Sequence, residues 1–176
     1  MFEEWSFDEW KPVSRGALAG WLAAYLLFLW YAARDTEGFL FLDHANLVFH
    51  ESGHMLFSWF GHTIMMLGGT LGELLVPLAV GIYFGLRRET AGVAFASFWF
   101  FENFLYIGTY MADARAMELP LVGMGDTVDH DWNFLFSHWG LLMQDRQIGG
   151  TTRGLGWCGM ILTLGWLAWM HIRTSE

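Results

Sequence analysis

Charge is scarce in this chain of 176 residues: Asp, Glu, Lys and Arg together make up 15% of it, against roughly 25% in soluble domains. Cysteine is scarcer still. The single Cys158 excludes an internal disulfide and any cysteine-built metal site, and it leaves the redox compartment open. Basic residues number nine against eighteen acidic ones, for a formal net charge of −9. The acidic excess lies mainly in the N-terminal stretch and between Asp113 and Asp145, which argues against nucleic acid or anionic lipid surfaces as partners of those stretches. No basic leader precedes an apolar core, so no cleavable signal is expected. No internal repeat or low-complexity stretch is present, which argues against the common transporter plans. The few Lys and Arg are spread too evenly for the positive-inside rule to orient the chain.

Apolar residues fill the space left by charge. They make up 55% of the chain, with 18% aromatics, eleven Trp and sixteen Phe. One integral membrane domain over residues 1–176 follows, with no room for a separate soluble domain. The expected fold class is all-α: a polytopic membrane helical bundle of about five transmembrane helices plus one interfacial helix. Residues 1–15 read as an interfacial arm of alternating aromatics and acids. Spans are expected at 16–33, 39–62, 63–86, 90–111 and 155–172, and 132–144 reads as an amphipathic helix too short to cross. Gly68, Gly69 and Gly72 permit close helix approach, and Pro77 can kink the third span.

The second span carries the chemistry. His50-Glu51-Ser52-Gly53-His54 sets two histidines four residues apart, so both imidazoles can face one ion, while Glu51 lies about 100° round the helix. This is the arrangement of an H-E-x-x-H zinc-hydrolase helix, with the glutamate placed to take a proton from water. Asp43, Asn46, His50 and His54 fall within an arc of roughly 80°. A polar stripe of this length in an apolar run should face the bundle interior or a watered cavity.

If every span crosses fully, His54, His50, Glu73 and Glu102 lie about 12–18 Å below one membrane face. Glu102 is the favoured third metal ligand, Glu73 the second choice. Asp113 or His130 could replace either if the long polar connection 114–131 folds back into the bundle. His62 and His171 read as interfacial, His138 as part of the amphipathic piece, and His44 as a partner to a neighbouring helix. Asn103 and Tyr106 could act as oxyanion donors, though packing suits them better.

The run Asn46 to His54, followed by Gly61, Gly68-Gly69 and Pro77, resembles a family of small bacterial integral membrane proteins with an H-E-x-x-H helix. The likeness continues through Glu102-Asn103, Tyr110 to Arg115, Leu119-Pro120 and His130-Asp131-Trp132. More distantly, a metal helix within the bilayer is similar to the site-2 protease type of intramembrane zinc metalloprotease. That resemblance implies zinc on His50 and His54 and a general base at Glu51. The family's second motif, Asp-Gly after a proline-rich run, has no counterpart here.

Two functions are expected from these features. The first is an intramembrane zinc metallohydrolase, most simply a peptidase, acting on a transmembrane substrate from a bacterial inner membrane. The second is a non-catalytic subunit or assembly factor of a larger membrane complex, pigment- or lipid-associated, with a structural metal or polar cluster. A di-iron hydroxylase is disfavoured, since only His50 and His54 have box-like spacing.

Overall fold

The computed structural model describes residues 9–36, 38–121 and 129–174. Most of the expected N-terminal arm and the middle of the polar connection lie outside these residues. Among the described residues the chain is helical, and its only β pairing is an isolated bridge between Lys11 and Glu89. The helices are α1 (Arg15–Arg34), α2 (Asp43–Phe57), α3 (His62–Leu86), α4 (Thr90–Ala112), α5 (Asp131–Trp139) and α6 (Asp145–Thr174).

Three helical stretches, α1, α3 and α6 with the turn before it, are long and apolar enough to cross a membrane. Helix α4 has comparable length at 23 residues but, with Glu102 and Asn103 at its centre, is not among these candidates. The expected second span takes a different form. Helix α2 has 15 residues, about 22 Å, short of a hydrocarbon core of about 30 Å.

Side-chain contacts fix the two ends of the bundle. At one end His171 Nδ1 donates to the Val13 carbonyl at 2.7 Å, and the Lys11 ammonium meets Glu89 at 2.9 Å. The first described residues, the α3–α4 turn and the end of α6 therefore sit together. At the other end Arg115 pairs with Asp145 at 2.8 Å, and the His62 ring packs edge-on to Phe134.

Helix α2 enters and leaves by this second end. A Cβ on Gly38 would strike Thr109, Phe39 packs on Tyr106, and Asn46 bonds Glu102 at 3.1 Å. From Gly38 to Asn46 the chain thus descends α4 from its last turns to its middle. It then climbs back along α3, with Phe49 beside Gly72, Gly53 beside Gly68 and His54 beside Met65. Asp43 closes the buried start of α2 by accepting the Leu40 N–H at 2.5 Å. A 3-10 turn, Ser58–Phe60, and Gly61 at φ +92° end the segment. Only glycine takes that φ without strain.

Glycines also set the α2–α3 distance. A Cβ on Gly53 would run into the Gly68 carbonyl, and one on Gly72 into the Phe49 carbonyl. This is close backbone packing of the small-residue kind. Helices α4 and α6 approach in the same way through Gly108 and Gly149.

Helix α1 is peripheral, with Tyr25 its one buried residue, stacked on Phe98 at 4.3 Å. The piece expected at 132–144 divides. Helix α5 ends at left-handed Gly140, a 3-10 turn spans Leu142–Gln144, and α6 begins at Asp145, ahead of the expected 155. Trp132, Leu135 and Phe136 of α5 are buried with Met66, Ile107 and Tyr110. Helix α5 is therefore docked into the bundle by its apolar face.

Candidate metal centre

His50 and His54 occupy consecutive turns of α2 on the face turned toward α3 and α5. The ring of His50 is 5% exposed and fits because residue 69 is glycine: a Cβ there would overlap the imidazole. Its Nδ1 lies 3.2 Å from Glu73 Oε1 and its Nε2 lies 2.9 Å from Asp131 Oδ2. His54 Nδ1 donates to the Met65 carbonyl at 2.8 Å, and its Nε2 lies 3.2 Å from the same Asp131 oxygen. A carbonyl only accepts, so Nδ1 of His54 carries a hydrogen, and Nε2 is the atom left to meet Asp131 or an ion. The Glu73 carboxylate likewise takes a hydrogen from Nδ1 of His50, so Nε2 of that ring too is turned toward Asp131.

Ligand atoms of His50, His54 and Asp131 all lie within 4.8 Å of one another, and the group can hold a metal ion. Two imidazoles and one carboxylate suit several divalent metals, zinc among them. Each histidine is already braced from behind, by a carboxylate or a backbone carbonyl, as is usual for metal-binding imidazoles.

Asp131 reaches the histidines because the chain before α5 folds back. His130 caps α5, its Nδ1 accepting the Asn133 N–H at 3.2 Å. Its Nε2 lies 3.3 Å from Asp113 Oδ2, without full hydrogen-bond geometry. Asp113 in turn accepts the N–H groups of Glu118 and Leu119, both at 3.0 Å. Asn133 donates to the Ala114 carbonyl at 2.7 Å, and Tyr110 takes the Asp131 N–H on its hydroxyl oxygen at 3.1 Å. Burial pushes the Asp131 carboxyl upward, but hydrogen bonds from His50 and His54 outweigh it and hold the group below the usual carboxylate range. Burial lowers His130 against the opposing pull of Asp113. His130 is thus held as a neutral cap.

The expected residues divide accordingly. His50 and His54 come together, and Glu51 follows on α2, partly buried and without a hydrogen bond or ion pair among the described residues. Glu102 does not join them. It is fully buried on α4, where Oε2 accepts from Asn46 and Oε1 has no partner. Trp99 Nε1 donates to Asn46 Oδ1 at 2.8 Å and so turns the amide NH₂ toward Glu102. Glu73 braces His50, while Asp113 and His130 support the neighbour that does reach the site.

Asp131 is the residue that sequence reasoning missed. The available signal was its place at the head of an amphipathic piece, directly after a histidine. The remaining histidines have packing partners: His44 on Phe39, His62 and His138 on Phe134. Tyr106 stacks on Tyr110, and Asn103 donates to the Trp99 carbonyl.

No protein-family model, curated protein or solved structure matches the chain.

Proposed function

We propose that this chain is a multi-pass integral membrane metallohydrolase that holds zinc on His50, His54 and Asp131. The observation that carries the reading is the convergence of two Nε2 atoms on one carboxylate while both Nδ1 atoms are engaged behind them. That arrangement supplies three ligands, the number that in a catalytic zinc site leaves the fourth position to water. When bound there, the ion polarises a carbonyl and lowers the pKa of water at its open position. Glu51, next to a ligand and committed to no other partner, takes the proton from that water and returns it to the leaving group. Asp131 balances part of the ionic charge, and Glu73 fixes the tautomer and direction of His50.

The depth of the polar groups supports a hydrolase over a transporter. Interior acids and histidines run from the Asp113–His130 pair through the site to Asp43 and Glu102 at mid-bundle. Beyond them the core is Phe98, Met160, Leu167 and Val13. A polar path that stops halfway serves a site entered from one end. The resemblance to small bacterial membrane proteins supports an inner-membrane location for this hydrolase.

One observation favours the second reading, a subunit of a larger complex. Helix α1 buries one residue and exposes Leu26, Leu27 and Trp30, a surface that lipid or another subunit can cover.

Metal analysis of the purified protein separates these readings from a metal-free bundle. One zinc per chain is expected, lost in His54→Ala. Glu51→Gln is expected to keep the metal and lose turnover. Full hydrolytic activity in that variant would remove Glu51 from the mechanism.

A further inference from the structure

The hydrolase reading leaves open which bond is cut, and the depth of the site bears on it. Helix α3 has 25 residues, about 37 Å, and so exceeds a hydrocarbon core of about 30 Å by about 7 Å, a little over one turn shared between its two ends. His54 bonds the carbonyl of Met65, the fourth residue of α3, and the His50 ring lies against Gly69, the eighth. The metal group therefore sits level with the first two turns of α3, within about 10 Å of its start. With α3 centred in a bilayer, that level lies within about 7 Å of the boundary between headgroups and acyl chains. Asp131, carried on α5 outside the long helices, reaches the same level.

Deeper along α2 lies a half-open apolar groove of about 290 Å³ between α1, α2 and α4. Its wall includes Tyr25 and Phe28 of α1, Ala45 and Asn46 of α2, and Phe98 and Trp99 of α4, and it presents no polar surface. Asn46 lines this groove and lies one turn from His50 on the same stripe, so the groove begins about 6 Å along α2 from the site. At about 30 Å³ per small group, the space admits roughly ten methylenes. No strand edge stands near the site among the described residues, and the only β bridge is at the opposite end. An extended peptide would find no backbone ladder to pair with.

We propose, resting on the hydrolase reading, that the substrate is a bilayer lipid, cut at the ester carbonyl where the acyl chain meets the headgroup. The acyl chain descends along α2 into the α1–α2–α4 groove. Water oxygen bonds to the carbonyl carbon and the C–O ester bond breaks. Glu51 passes the water proton to the departing alcohol oxygen, and the second product is the fatty acid.

The test uses the full-length zinc-loaded protein in vesicles of palmitoyl-oleoyl phosphatidylethanolamine and phosphatidylglycerol, with free fatty acid read by mass spectrometry. A transmembrane peptide reporter is assayed in parallel. Expected is fatty-acid release that His54→Ala abolishes. Ala45→Phe, at an exposed position on the groove wall, should cut release of long chains at least about tenfold. In that variant short-chain esters and zinc content should be spared. Release indifferent to Ala45→Phe overturns the placement of the chain. Cleavage of the peptide and not the lipid, still dependent on His54, overturns the lipid substrate and leaves the hydrolase reading standing. Zinc binding with neither substrate cut overturns both.

Discussion

Gly69→Ala tests the metal centre without altering any ligand. A Cβ at position 69 would stand 2.6 Å from His50 Cε1, where ordinary carbon contacts are about 3.5–4.0 Å. The ring must retreat by about 1 Å. Zinc–nitrogen bonds are about 2.0–2.1 Å and tolerate about 0.2 Å, so a ring so displaced no longer coordinates. The expected result is a loss of zinc affinity of about 100-fold or more, the upper end of what support residues cost. Folding should survive, because alanine in mid-helix gains about 1 kcal/mol over glycine against an overpacking cost of about 1–3 kcal/mol. Competition with a chromophoric chelator measures the affinity, and thermal melting in detergent checks the fold. Gly150→Ala, where a Cβ would meet nothing within 4 Å, is the control. Zinc affinity in Gly69→Ala within threefold of the control would refute the placement of His50.

The other ligands and supports give sharper contrasts. Asp131→Asn keeps the shape of the third ligand and removes its charge; zinc binding should fall by about 100-fold, and an unchanged titration would return the search to another acid. Glu73→Gln should weaken binding about 10–100-fold by loosening His50 while leaving one zinc per chain at saturation. Glu102→Gln should leave zinc affinity unchanged, since Glu102 bonds Asn46 and not the histidines; a loss would show that Glu102 does reach the metal.

The helical character of the chain and the pairing of His50 with His54 could be read from the sequence, because both are local. Apolar runs bounded by Arg34, or by Arg87-Arg88, mark helices by composition, and a four-residue spacing fixes two side chains on one face. What escaped was the path of α2. A run from Phe39 to His62 is apolar enough to cross, and nothing local shows that residues 38–42 descend unwound beside Tyr106. Counting depth along a full span put the histidines near mid-bilayer, where Glu73 and Glu102 are the acids at hand. With α2 re-entrant, His54 rises to the first turn of α3, and acids of the polar connection come within reach. Asp131 gave no periodic signal because a ligand delivered from a loop has none. Glu102, isolated in an aromatic run, drew attention for a burial that serves Asn46 and Trp99 instead.

The return of α2 to the face it entered by also orders events during synthesis. Helix α2 is too short to be held across the bilayer alone, so it must wait for α3 to give its glycines something to lie against. The two histidines are then in place while Asp131, well over seventy residues downstream, is still unmade. Loading of a metal on these three residues would thereby be a late step, possible only after α4 and α5 have been made. A ribosome stalled before residue 131 would display the paired imidazoles without the acid that closes the centre.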